Sequence, residues 1–155
     1  MKQALCFLAC ISVIAAFNIE SPAGRDVARI EPIQIVSLTS DDTHIILQTD
    51  TGARGSGISF SEALQDMYRT TPAYAFLDTA EYLLIEKDLE YLIPTLWETL
   101  RPACSLCWVE EHPDLEQAAA FLKIHKPQTA LKDYLAGEKE LPTLKTEGER
   151  MQLVS

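Results

Sequence analysis

The chain has 155 residues, 13 basic and 23 acidic, and a formal net charge of −10. So acidic a surface repels polyphosphate, which argues against nucleic acid as a partner. Beyond an apolar N-terminus about 130 residues remain, enough for one domain with its own core, and no internal repeat or low-complexity tract interrupts them.

Lys2 precedes a mostly apolar run from Ala4 to Phe17. The run is shorter than the roughly 20 residues that span a bilayer and matches the apolar part of a secretory signal. Ser21-Pro22-Ala23 puts small residues at the −3 and −1 positions of a cleavage site, so 1–23 is predicted to be a signal peptide or a retained membrane anchor. A rival reading makes Phe7-Leu8-Ala9-Cys10 a lipid-attachment box with Cys10 as the acceptor. It is disfavoured because apolar residues continue from Ile11 to Phe17, where a lipoprotein should turn polar. Each version predicts an exported or membrane-associated chain at the extracytoplasmic face.

Ile33 to Leu38 and Thr43 to Asp50 are rich in β-branched residues, and Ser40-Asp41-Asp42 between them is turn chemistry, giving an antiparallel hairpin. Gly52, Gly55 and Gly57 read as a flexible loop with positive-φ positions. The loop runs into a helix start, since Ser59 and Glu62 have the spacing of a capping box. Phe60, Ala63, Leu64, Met67 and Tyr68 then share one helical face, and the helix ends near Thr70-Thr71-Pro72, because the residue before a proline leaves the α region. Ala73 to Glu86 reads as extended chain. Asp88 to Arg101 reads as a second amphipathic helix with Leu89, Leu92, Ile93, Leu96, Trp97 and Leu100 inward. Its regular part starts near Ile93, which puts Pro94 in the first turn. Ala103 to Glu110 is a further apolar extended segment. Pro113-Asp114 opens a third helix with Leu115, Ala118, Ala119 and Leu122 inward, and Gln128 to Ala136 forms a fourth, stopped by Gly137. Residues 138–155 are charged and lack aromatics, a linker-like tail. The pattern predicts an α/β (α+β) fold, a mixed sheet of short strands packed by about four helices, in a single domain over 24–137.

Three stretches carry a family resemblance: Gly57-Ile58-Ser59-Phe60-Ser61-Glu62-Ala63, the segment Tyr74 to Glu86, and Leu96-Trp97-Glu98-Thr99-Leu100-Arg101-Pro102. With their order of elements, the chain from about Arg25 to Gly137 resembles the N-terminal domain of the spore germinant-receptor C subunits, the Ger(x)C spore germination proteins. The resemblance implies a non-enzymatic structural or assembly role at the outer face of the spore inner membrane, with polytopic germinant-receptor-type membrane subunits as partners. It carries over no ligand-contacting residue. No counterpart of the family's lipid-attachment cysteine lies between Phe17 and Arg25.

Other residues offer competing chemistry. Cys104-Ser105-Leu106-Cys107 is a C-x-x-C pair, and an exported thiol-redox or metal-binding protein built on Cys104 and Cys107 is the alternative function. The pair lies in a segment that reads as a strand, where residues three apart point to opposite faces. Cys104, Cys107, His112 and His125 form a zinc-ligand set only by count, because C-x2-C-x4-H-x12-H is not a usual spacing. The glycine stretch lacks the Lys of a phosphate loop and the spacing of a dinucleotide fingerprint. No nucleophile elbow or Ser-His-Asp grouping occurs, and the acidic residues read as solvated surface. The sequence therefore predicts no catalytic residue, no cofactor and no metal site.

Overall fold

Ile35, Val36 and Leu38 are all buried although they point to both sides of one strand, because that strand lies in a sheet covered on both faces. The computed structural model describes residues 30–41, 43–71, 74–110, 112–137, 140–147 and 150–154. The leader, the 1–23 boundary and Cys10 lie outside them. A short strand β1 (Ile30–Pro32) precedes β2 (Ile35–Asp41), which pairs antiparallel with β3 (His44–Thr49), as the hairpin pattern predicts. The turn after β3 is set by Thr49, whose N–H donates to the Ala53 carbonyl at 2.9 Å, and by Gly52 at φ +85°. Next come β4 (Arg54–Gly57), α1 (Phe60–Thr70), β5 (Tyr74–Phe76), a 3-10 turn over Leu77–Thr79 and β6 (Tyr82–Glu86). A 3-10 stretch over Lys87–Leu92 leads into α2 (Ile93–Leu96) and β7 (Ser105–Val109), followed by α3 (Leu115–Ile124), α4 (Leu131–Leu135), β8 (Thr143–Glu147) and β9 (Arg150–Val154).

The main sheet has seven strands in the order β4-β3-β2-β6-β7-β8-β9. Strands β2, β6, β7 and β8 run parallel, while β3, β4 and β9 add antiparallel edges. Strands β1 and β5 form a separate parallel pair. One face carries Val36, Leu38, Leu83, Ile85 and Leu106 against Phe60, Ala63 and Met67 of α1, Ile93 and Leu96 of α2, and Leu131 of α4. The other carries Ile35, Leu84, Cys107 and Val109 against Leu115, Ala118 and Leu122 of α3. Each fully buried Leu or Ile contributes roughly 1.5–3 kcal/mol over an exposed one. The chain is thus a single α/β domain, a mixed sheet with about four helices.

Four local expectations change in the structure. The glycine stretch is an edge strand, β4, with Gly55 and Gly57 facing α1. A Cβ on Gly55 would stand 2.1 Å from the Ala63 carbonyl oxygen and 2.4 Å from the Met67 nitrogen, so glycine is needed for backbone contact, and of the three glycines in this stretch Gly52 alone has a positive φ. The capping box is half as drawn. Ser59 Oγ accepts from the Glu62 N–H at 3.3 Å, but the Glu62 carboxylate reaches one residue further back, to the Ile58 N–H at 3.1 Å.

The helix expected over Asp88 to Arg101 is a 3-10 stretch plus one α turn, because Pro94 has no N–H to bond back across the Lys87–Leu92 segment. Glu98 and Thr99 close on Thr95 and Leu96 by tight i+3 bonds, which ends the helical period and leaves Trp97 at 42% exposure instead of inward. Finally, residues 138–155 are not a free tail. They supply β8 and β9, with Leu141 and Leu144 buried, so the domain runs to Val154 at least.

Gly55→Ala should destabilise the domain by about 3 kcal/mol, the upper range for overpacking, because backbone and not a flexible side chain meets the new methyl. Phe60→Ala should cost about 3–5 kcal/mol and Trp97→Ala only about 1 kcal/mol. Denaturant unfolding of the three variants checks both the close contact and the revised face of α2.

Candidate functional site

Parallel α/β sheets gather ligand-binding groups at the carboxyl ends of their strands. Here that edge holds Thr39 and Ser40 from β2, Glu86 from β6, Glu110 and His112 after β7, and Lys145 from β8. Glu86 Oε2 accepts both the backbone N–H of Ser40 at 2.8 Å and its hydroxyl at 2.6 Å. Lys145 Nζ lies 2.8 Å from Glu110 Oε1. A cavity of about 220 Å3 beside this pair is lined by Glu110, Pro113, Leu144, Lys145, Thr146 and Glu147.

The Thr39 hydroxyl and His112 Nε2 are 2.9 Å apart, the spacing of a nucleophile and its base. Thr39, however, is only 2% exposed, and among the described residues no group orients the other imidazole nitrogen. The carboxylate of Glu86 is occupied in closing the end of β2. These groups order the strand ends, and the Thr39 hydroxyl is closed to solvent.

The two cysteines of the C-x-x-C pair fall on opposite sides of the sheet. Cys104 belongs to the core under α1 and α2, Cys107 to the core under α3, and both are free and buried. Burial pushes each thiol up to about 12; around Cys104 the nearby Arg101 partly opposes this and Glu81 adds to it, and Cys104 itself adds to the shift of Cys107. Neither sulfur has the lowered pKa of a reactive thiolate.

The four residues of the zinc count are likewise dispersed, His112 at Thr39 and His125 stacked on Phe121 with ring centroids 4.6 Å apart. Among the described residues no group of three or more His, Cys, Asp or Glu is placed to hold a metal ion. In the glycine stretch ahead of α1, two of the N–H groups an anion cradle would use already face carboxylates, Ser56 that of Asp66 at 3.1 Å and Ile58 that of Glu62 at 3.1 Å.

Sequence reasoning missed the Glu86–Ser40 and Thr39–His112 contacts. Their only local signal is a polar residue closing an apolar strand run. Tyr82 was missed too; its hydroxyl is buried with no hydrogen-bond partner among the described residues. Neither a protein-family model, nor a curated protein, nor a solved structure matches the chain. Among the described residues no helix is long and apolar enough to cross a membrane.

The thiols make stability depend on pH in the alkaline range. Below 9.0, the ordinary value, both are protonated in the folded and unfolded chain and their contribution is fully present. Between there and about 12 the unfolded chain loses protons that the folded chain keeps, so stability falls as pH rises. Each thiol adds at most about 1.4 kcal/mol per pH unit to that fall. Urea unfolding from pH 8 to 11 should show the decline, and the Cys104→Ala/Cys107→Ala double variant should flatten it.

Proposed function

We propose that this chain is a non-enzymatic envelope module of the kind represented by the first domain of spore germinant-receptor C subunits. In this reading it is exported or held at the membrane by its N-terminal segment and assembles with polytopic membrane subunits. The observation that carries the reading is that the three stretches bearing the resemblance form one contiguous packing unit. Phe60 and Ala63 from the first, Leu83 and Ile85 from the second, and Leu96 and Leu100 from the third share a core cluster. Arg101 Nε donates to the Ala80 carbonyl at 2.9 Å, tying the third stretch to the second. Motifs whose side chains are spent on packing suit an assembly role, and the Glu86–Ser40 contact at the carboxyl edge of the sheet is accounted for by closing a strand end.

In a spore-forming Gram-positive host the full chain should leave the cytosol and cross-link to a polytopic membrane protein. Deletion of Ala4 to Phe17 should return it to the cytosol. An unchanged distribution after the deletion would sink the export part of the proposal. One bound zinc, or a stoichiometric Cys104–Cys107 disulfide in the purified protein, would replace it with the thiol or metal alternative.

A further inference from the structure

The two edges of the sheet are finished differently. On β4, α1 takes up the outward peptide groups: the Ser56 N–H donates to Asp66 Oδ2 at 3.1 Å, and the Thr70 hydroxyl donates to the Arg54 carbonyl at 3.1 Å. The other edge is β9, and among the described residues nothing covers its outer side.

The ladder shows which of its groups point outward. The Trp108 N–H donates to the Pro142 carbonyl at 2.9 Å, so alternate residues from Pro142 through Leu144 turn their peptide groups toward β7. Thr143, Lys145 and Glu147 turn theirs toward β9, where they are in register with Val154, Gln152 and Arg150. The N–H and C=O groups of Met151 and Leu153 therefore point away from the sheet, the arrangement that accepts an added strand.

We propose that β9 is a dimerisation edge, through which two copies of this chain pair antiparallel about a two-fold axis at Gln152 and join their sheets into one. The strand is self-complementary in that register. Met151 meets Leu153 of the second copy and exchanges both backbone hydrogen bonds with it, and Arg150 meets Val154. Gln152 meets itself. No like charges are opposed, which matters in a chain of net charge −10.

The side chains agree with this register. Met151 and Leu153 are half-buried against the core under α3, and across the joint they form an unbroken apolar row that continues that core. Leu153 also borders a groove of about 560 Å3 whose walls mix Pro127, Leu141 and Pro142 with the polar Lys126, Thr129 and Glu140. Met151 of the second copy, beside Leu153, brings a flexible apolar side chain to its mouth. Val154, 39% exposed, gains the aliphatic stem of the opposing Arg150 as cover. One short strand from each copy makes an interface well below the ~1,200–2,000 Å2 of stable complexes, so the association is weak and reversible.

Sedimentation equilibrium of the full chain over a wide concentration range should show a monomer–dimer equilibrium. Gln152 is exposed, so Gln152→Lys and Gln152→Glu should leave the fold intact. Each alone should weaken association roughly fivefold or more by setting like charges together on the axis. An equimolar mixture of the two should restore it. Leu153→Pro, which removes an outward N–H and leaves the β8 ladder untouched, should abolish it. A monomer at every concentration overturns the proposal. So does association that Gln152→Lys leaves unchanged and mixing does not alter, since that association would run through another surface, the N-terminal segment included.

Discussion

Backbone lies against backbone where α1 crosses β4, over Gly55 and Gly57, and most of the first face of the sheet depends on that contact. A Cβ on Gly57 would stand 2.5 Å from the Glu62 Cβ and 2.6 Å from the Ala63 nitrogen, so no side chain fits at either glycine. The close approach fixes the height of the helix above the sheet. Ala63 and Met67 then reach full burial, and Phe60 falls to 7% exposure. It also brings Asp66 and Thr70 within reach of the peptide groups of β4. One steric fact thus seats a helix and closes an edge.

The same economy holds at the carboxyl edge. A buried donor left without a partner costs roughly 1–3 kcal/mol, and the Ser40 N–H at the end of β2 would be such a donor without Glu86. Asp50 does the corresponding work at the other end of β2, accepting from the Gln34 and Ile35 N–H groups at 3.1 Å. Asp114 acts alike at the start of α3, so three carboxylates of the described residues each close the end of a strand or helix.

What was legible in the sequence is what is decided within one turn or one hairpin. The Ser59 cap, the exit at Thr71 with ψ 124° before Pro72, the Asp114 cap bonding the Glu116 and Gln117 N–H groups, and the stop at Gly137 with φ +75° all follow from neighbours in the chain. The β2–β3 hairpin was legible for the same reason. The glycines of β4 were misread because local chemistry ties glycine to unusual φ, whereas their reason here is a helix packed across them. Residues 143–147 and 150–154 alternate like strands, but with few apolar residues, because one antiparallel edge needs only Leu144, Met151 and Leu153 turned inward. The contacts at the carboxyl edge join residues 46 and 73 apart in sequence, and no periodicity reports on such pairs.

The contrast between the sheet edges bears on how a partner could attach. An unpaired edge invites aggregation, and proteins blunt it with charge, proline, bulges or cover. β4 uses cover, two side chains of α1. β9 has only Arg150 as a charged residue within the strand, and it turns the apolar Met151 and Leu153 toward the core while their peptide groups face outward. Burying that edge against an arbitrary strand would oppose Arg150 with whatever charges the other strand carried. Antiparallel pairing with its own sequence meets Arg150 with Val154, leaving the charge on the exposed face beside water. A weak edge of this composition discriminates by register more than by affinity, which would limit indiscriminate pairing at a strand that no described residue covers.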